Sequence, residues 1–138
     1  VEEVTMNEPQ AMREMLQGRT IAVVGLSDDP AKPSHSVSRA MQSAGYRIFP
    51  VNPSVSSVLG ETSYASLTDL PERPDIVNVF RLPKAIPAIV EEMIALDLKN
   101  LWVQLGIMNA EAAARAEAAG IRVIMDHCIM VEHMRLGL

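Results

Sequence analysis

Side chains able to do chemistry gather in two stretches of this 138-residue chain. The first is Gly25-Leu26-Ser27-Asp28-Asp29-Pro30-Ala31-Lys32-Pro33-Ser34-His35. It puts a cation, Lys32, and a hydroxyl, Ser34, just before an expected helix. The start of a helix carries unpaired N–H groups and a partial positive charge, so this grouping suits a phosphate. The competing reading is a plain connection, with His35 either donating to an anion or solvated. Asp28 and Asp29 would repel a phosphate and are expected to turn outward, making Asx-type turns before Pro30. Arg81, between an apolar run and a proline, is expected at the mouth of the same site, with an ion pair to Asp28 or Asp29 as its bland alternative.

The second stretch is Asp126-His127-Cys128-Ile129-Met130-Val131-Glu132-His133. Its sharp readings are a thiol nucleophile activated by histidine, or a metal site. The spacing is not a zinc-ligand pattern, and adjacent residues point their side chains apart. A lone cysteine in apolar company is usually buried, whereas a reactive thiol needs an electropositive, partly exposed setting. Neither a metal nor a catalytic residue is assigned.

These side chains must be positioned by regular elements. Ile21 to Val24 is a short unbroken apolar run, suiting a strand covered on both faces, and Gly25 lets the chain leave the sheet at its carboxyl edge. Ser34 is expected to cap a helix with Val37, Ala40, Met41 and Ala44 on one face, ended by Gly45. Ahead of the first strand, Asn7 is expected to cap a short helix buried through Ala11, Met12, Met15 and Leu16. Tyr46 to Val51 reads as a second strand, stopped by Asn52-Pro53-Ser54. A brief edge strand near Gly60 to Ser63 and one helical turn near Ser66 to Leu70 follow. Asp75 to Phe80 is a third strand, leading through Arg81-Leu82-Pro83 to a helix with Ile86, Ile89, Val90 and Met93 on one face. Asn100 to Gln104 is a fourth, followed by an alanine-rich helix capped by Asn109 and closed by Gly120. Arg122 to Met125 is the last strand, and Cys128 to Arg135 a short terminal helix.

Strands alternating with helices call for a parallel sheet with helices on both faces. The fold class expected is α/β, a Rossmann-like three-layer sandwich around a mainly five-stranded parallel sheet, with residues 1–138 as a single domain. Gly25, Asn52, Phe80 and Gln104 would then lie along one edge, their loops lining one crevice.

Composition narrows the partners. Apolar residues are 49% and charged ones 21%, a soluble globular balance. The net charge of -5, with scattered basic residues, argues against nucleic acid, whose binding needs a basic face. Neither a leader nor an apolar run of membrane length is evident, and a single cysteine allows no internal disulfide, so a cytoplasmic protein without membrane contact is expected. Nine methionines against two Phe and one Trp imply an aliphatic and thioether core. The crevice does not read as a nicotinamide or flavin site. The three-glycine turn G-x-G-x-x-G is missing, and Asn52 stands where an acidic ribose acceptor would follow the second strand. The Walker pattern fails as well, with Pro30 and Ala31 in place of its second glycine and lysine.

Several motifs together resemble a known family: Val24-Gly25-Leu26-Ser27, Pro30-Ala31-Lys32-Pro33-Ser34, Val51-Asn52-Pro53, Asp75 to Arg81, Trp102-Val103-Gln104-Leu105-Gly106 and Asp126 to His133. In order and spacing they resemble the small stand-alone CoA-binding proteins, which are similar to the N-terminal domain of the succinyl-CoA synthetase alpha subunit. The resemblance runs from about Thr20 to His133. It implies a small-molecule ligand, coenzyme A or an acyl-CoA, held by its adenosine diphosphate part at the carboxyl edge. On this resemblance Gly25, Leu26 and Ser27 approach the phosphates with Lys32, Pro33 and Ser34. Val51, Asn52 and Pro53 line the adenosine side, Phe80, Arg81 and Pro83 wall the crevice, and Gln104, Gly106 and Ile107 close it towards the pantetheine. Members often carry a lysine after the Asn-Pro pair, where this chain has Ser54. The charge then falls on Lys32, with Arg39, Arg47 or Arg81 as further help.

Three functions compete: a non-catalytic CoA or acyl-CoA binding module, an enzyme or redox-regulatory protein of acyl-CoA metabolism using Cys128, and an interaction module that has lost its ligand. The first is expected, because synthetase relatives need further domains, and because the Lys32 loop and Asn52-Pro53 are intact. No protein partner is identifiable.

Overall fold

The computed structural model describes residues 8–138. The expected cap Asn7 lies outside the described residues. Five parallel strands form the central sheet: β1 (Thr20–Val24), β2 (Arg47–Val51), β5 (Ile76–Val79), β6 (Asn100–Val103) and β7 (Arg122–Met125), in the order β2-β1-β5-β6-β7. Every one of these pairings is parallel. Between β2 and β5 the chain makes a small antiparallel hairpin, β3 (Ser57–Val58) with β4 (Glu61–Thr62), and a 3₁₀ turn at Leu67–Asp69. The helices are α1 (Pro9–Met15), α2 (Pro33–Ser43), α3 (Ile86–Leu96), α4 (Ala110–Ala118) and α5 (Ile129–Arg135). This is the Rossmann-like sandwich, because right-handed crossovers between parallel strands lay successive helices on one face or the other according to the direction of travel. Among the described residues, no helix is long and apolar enough to cross a membrane.

The strands are apolar on both sides because both sides are covered. On one face Ala22, Val77, Val79, Leu101, Val103 and Val123 pack with Val90 and Met93 of α3 and Ala112 and Ala116 of α4. On the other, Ile21, Val23, Ile48, Ile76, Trp102 and Ile124 pack with Met12 and Met15 of α1, Met41 of α2 and Ile129 of α5. Trp102 is wholly buried, with its indole N–H donating to the His127 carbonyl at 2.9 Å. The amino edge of the sheet is held by Asp75, whose carboxylate accepts from the amides of Arg19 and Thr20 at 2.7 and 3.1 Å.

The start of α2 departs from expectation. Ser34 is not the cap: Lys32 occupies that position in extended conformation, without a side-chain cap bond, and Pro33 is the first helical residue. Proline favours this place because its ring pre-sets φ and the N–H it lacks would be unpaired there anyway. The buried stripe is Ser34, Val37, Ser38 and Met41. Ala44 is exposed and Ala40 half-buried, so the alanines expected on the buried face give way to two serines. Asn109, by contrast, caps α4 as expected, its Oδ1 accepting from Ala112 N at 3.0 Å.

Candidate functional site: a crevice at the carboxyl edge

β1 lies between β2 and β5, so the chain leaves β1 towards one side of the sheet and later returns to the other. Loops that part in opposite directions leave a gap at the carboxyl edge, the usual ligand position in such sheets. Here the gap is a crevice of about 490 Å³, lined by Gly25, Ser27, Lys32, Pro33 and Ser34 after β1, Phe80, Arg81 and Leu82 after β5, and Gln104, Leu105 and Ile107 after β6.

Gly25 makes the turn out of β1 and has φ of 92°, which side chains disfavour. It also lies so close to the β5 loop that an added Cβ would overlap the Phe80 carbonyl oxygen. Its N–H donates to the Val51 carbonyl at 2.8 Å, and Phe80 N donates to the Val24 carbonyl at 2.9 Å, so the ladder runs to the lip of the crevice. Leu26, next in sequence, is fully buried beneath the loop and anchors it.

The loop from Ser27 to Ser34 is held by its own side chains. Buried Ser34 accepts from Ser27 N through Oγ at 3.0 Å, Ser27 Oγ accepts from Asp29 N at 3.0 Å, and Asp29 Oδ1 accepts from Ala31 N at 2.9 Å. Asp29 thus makes an Asx turn, one that spans Pro30 instead of preceding it, and both Asp28 and Asp29 stand exposed. Of the first amides of α2, Pro33 has none, and those of His35 and Ser36 turn back to the Lys32 carbonyl. The Ser34 N–H is therefore left without an intrahelical acceptor. Lys32 is exposed and has no acidic partner among the described residues, and the same holds for half-buried Arg81. The alternative pairing of Arg81 with Asp28 or Asp29 is absent from those ion pairs, and no carboxylate lines the crevice.

The other two basic residues considered for the phosphates do not line it. Arg47 begins β2 at the opposite edge of the sheet, where it pairs with Glu72 at 3.3 Å and covers the Phe49 ring at 4.7 Å. Arg39 lies exposed in the middle of α2. Arg81 alone stands with Lys32.

The end of β2 stands beside the crevice, outside its lining. Val51 is buried in the sheet and Pro53 is exposed. Asn52 donates from Nδ2 to the Leu26 carbonyl at 2.9 Å and accepts from Ser54 N through Oδ1 at 2.9 Å. Its amide is thus spent on tying the β2 loop to the β1 loop. Pro83 opens a 3₁₀ turn, Pro83–Ala85, ahead of α3, and its carbonyl accepts from Asn109 Nδ2 at 3.0 Å. Gln104 is buried at the floor, where Oε1 accepts from Ile129 N at 3.0 Å and so holds the start of α5. Gly106 also falls outside the lining. Its φ is 85° and its N–H donates to Asp126 Oδ1 at 2.7 Å.

Leu82 and Leu105 are lining residues that the sequence reading did not single out. Each is about two-thirds exposed, at 66% and 67%. The signal available for them was an apolar residue in each of two strand-end loops, Arg81-Leu82-Pro83 and Gln104-Leu105-Gly106.

The Cys128 cluster lies apart from the crevice. The thiol is half-buried against the α1, α2 and α5 side of the core and does not line the crevice. His127 directs Nδ1 at Glu132 Oε2, 3.2 Å away, and Glu132, only 6% exposed, also pairs with Arg135 at 3.2 Å. His133 meets the Tyr46 ring edge-on at 5.6 Å. Among the described residues no group of three or more His, Cys, Asp or Glu is placed to hold a metal.

Comparison with known proteins adds to this geometry. A family model for the CoA binding domain matches residues 19–134. The Uncharacterized protein YneT of Bacillus subtilis (strain 168) is 46% identical over 123 residues, covering 88% of this chain and 91% of that one. The solved structure of cell-free ID.343 from Thermus thermophilus superposes with a TM-score of 0.88 at 42% identity, over 94% of this chain and 98% of that chain. Acetate–CoA ligase (ADP-forming) I of Archaeoglobus fulgidus is 22% identical over 128 residues, which are 86% of this chain and 19% of the ligase.

Proposed function

We propose, since this chain belongs to the CoA-binding domain family, that it is a single-domain cytoplasmic module that binds coenzyme A or an acyl-CoA in the carboxyl-edge crevice without turning it over. The observation that carries this reading is the pairing of Lys32 and Arg81, two cations without acidic partners among the described residues, in a crevice free of carboxylates. Such cations favour a multiply charged phosphate ligand, and the Ser34 N–H at the helix start adds a donor. In this reading the diphosphate lies over Gly25, Ser27, Lys32 and Ser34, and the adenosine turns towards Asn52 and Pro53. The arm runs past Phe80 and Arg81 to Gln104 and Ile107. Gly25 and Gly106 serve by backbone shape, and Leu26, Val51, Pro33 and Pro83 by holding the loops.

Covalent catalysis needs a nucleophile with a base in reach and a third group orienting that base. His127 has an orienting carboxylate in Glu132, but Cys128 packs on the core side and neither Cys128 nor His127 lines the crevice, so this thiol and base do not face a ligand bound there. The experiment is isothermal titration of the purified protein with CoA, together with denaturation of protein taken from cells and mass identification of what it releases. Saturable CoA binding, without steady thiol release from acyl-CoA thioesters, is expected. Multiple-turnover release that disappears in a folded Cys128→Ser variant would replace the binding module with a thiol enzyme.

A further inference from the structure

Asp126, the first residue after β7, has φ of 65°, a left-handed conformation that side chains disfavour. Gly106, in the loop after β6, has φ of 85°, although a Cβ there would meet nothing within 4 Å. Glycine thus serves the turn of the chain at this point, and space does not call for it. The two turns meet in one hydrogen bond, from Gly106 N to Asp126 Oδ1 at 2.7 Å. With a carboxylate as acceptor, the bond is charge-assisted.

The turn that carries Asp126 is well anchored. Asp126 N donates to the Val103 carbonyl at 3.0 Å, Trp102 Nε1 to the His127 carbonyl at 2.9 Å, and Ile129 N to Gln104 Oε1 at 3.0 Å. The loop from Leu105 to Met108 is held much less. Among the described residues its one further hydrogen bond, Ile107 N to the Gln104 carbonyl at 3.1 Å, closes a turn at the root of the loop and reaches no other element. Leu105 and Ile107, on either side of Gly106, line the crevice, whereas Gly106 and Asp126 do not.

Resting on the reading of the crevice as a CoA site, we infer that Asp126 is a positioning residue, whose carboxylate holds the β6 loop in the shape that receives the pantetheine arm without touching the ligand. A left-handed residue with a side chain persists only where its surroundings over-determine it, and such strain gathers where binding needs a fixed shape. The carboxylate also stands against simple electrostatics. A negative charge behind the end of a crevice for an anion opposes binding through space, so the offsetting gain must come from shape. A loop in the receiving shape for only part of the time lowers the apparent affinity by that fraction, and a bond that holds the shape removes the loss.

The test is calorimetric titration of the full chain and of Asp126→Asn, Asp126→Gly and Asp126→Ala variants with CoA and with ADP, which has the adenosine and diphosphate but no arm. None of these substitutions changes a residue that lines the crevice. Asparagine keeps an acceptor oxygen and tolerates the left-handed region, glycine keeps the conformation without the acceptor, and alanine keeps neither. Asp126→Asn is expected to bind both ligands within about threefold of wild type. Asp126→Gly and Asp126→Ala are expected to lose about tenfold in CoA affinity, as for a loop in the receiving shape about a tenth of the time, and to stay within about threefold for ADP. Removing a carboxylate would by charge alone favour both anions, so a loss confined to CoA reports the loop. If the strained alanine variant fails to fold, the asparagine and glycine variants decide. Equal weakening of CoA and ADP overturns the inference, because it marks a general loosening of the fold. Unchanged CoA affinity in the folded glycine variant overturns it, and so does a loss seen with glycine and not with folded alanine, which assigns the effect to backbone freedom. A loss in Asp126→Asn as large as in Asp126→Gly overturns it too, since charge and not the acceptor would then matter. CoA bound by the wild type no more tightly than ADP removes the arm from the β6 loop and also overturns it. Absence of CoA binding by the wild type sinks the parent reading instead.

Discussion

The role proposed for Lys32 rests on what it lacks. Other basic side chains of the chain, such as Arg47, Arg115 and Arg122, are paired with Glu72, Glu91 and Glu14, and hydrogen bonding to Arg115 holds the Glu91 carboxyl below its ordinary range. Lys32 sits at a helix start with no such partner, so its charge is free for a ligand. Lys32→Ala is expected to weaken CoA binding by about 1–3 kcal/mol, the range of a charge-assisted hydrogen bond. Titration of the folded variant with unchanged affinity would take Lys32 out of the site. Gly25 is constrained in the opposite sense, by space. Gly25→Ala meets both the positive φ and the Phe80 carbonyl. It is expected to lower stability by at least about 2 kcal/mol, because the left-handed region costs a side chain 1–2 kcal/mol before any overlap. Urea denaturation checks this, and a variant within about 0.5 kcal/mol of wild type would show that the two loops can separate freely.

At the scale of elements, α2 joins a start proposed to hold phosphate to an imperfectly matched body. Ser34 and Ser38 occupy its buried stripe. Ser34 is partnered by Ser27, whereas the Ser38 hydroxyl is buried without a hydrogen-bond partner among the described residues. Asn78 Oδ1 is in the same condition on β5. Asn78 alternates with Val77 and Val79, which pack under α3 and α4, so it faces the α2 side of the sheet. An unsatisfied buried polar group costs about 1–3 kcal/mol, and alanine is the better helix former. Ser38→Ala is therefore expected to stabilise the fold by about 1 kcal/mol and to leave CoA affinity unchanged. A lower denaturation midpoint for this variant would mean that the hydroxyl has a partner in solution. The cap of α2 lies two residues before the serine expected to supply it. The missing N–H of Pro33 moves the helix start back onto Lys32.

For the whole molecule, the question is which nucleotide fits the carboxyl edge. The sheet order is one that commonly hosts nucleotides, yet the β1 loop lacks the three-glycine turn, and β2 ends in Asn52, whose amide is spent on the Leu26 carbonyl and Ser54 N. A ribose diol finds no carboxylate there, while Lys32 and Arg81 suit an additional phosphate. CoA is accordingly expected to bind more tightly than NAD, by an order of magnitude or more, since each good charge-assisted contact is worth more than 1 kcal/mol. Competition titrations in one buffer measure this, and tighter NAD binding would reverse the assignment. Salt should weaken CoA binding, because the cations are solvent-facing.

The amino-acid sequence by itself determined the five core strands, since each is an apolar run short enough for a strand and closed by a turn former. It also determined the cap of α4 at Asn109, and Gly25 as the exit from β1, because these are local events in which residue type decides backbone shape. The motifs around Gly25, Lys32, Asn52, Arg81 and Gln104 likewise carried the family resemblance. Tertiary structure alone decided which loops face one another. Strand order follows from crossovers, and apolar periodicity is the same for any order, so Arg47 and Arg81 look equally available in sequence while they end at opposite edges of the sheet. The same reason hid the tie from Asn52 to the Leu26 carbonyl and the exposure of Leu82 and Leu105 in the crevice lining. A leucine in a loop declares its exposure only when the bonds from Asn109 to Pro83 and from Gly106 to Asp126 hold the chain in place.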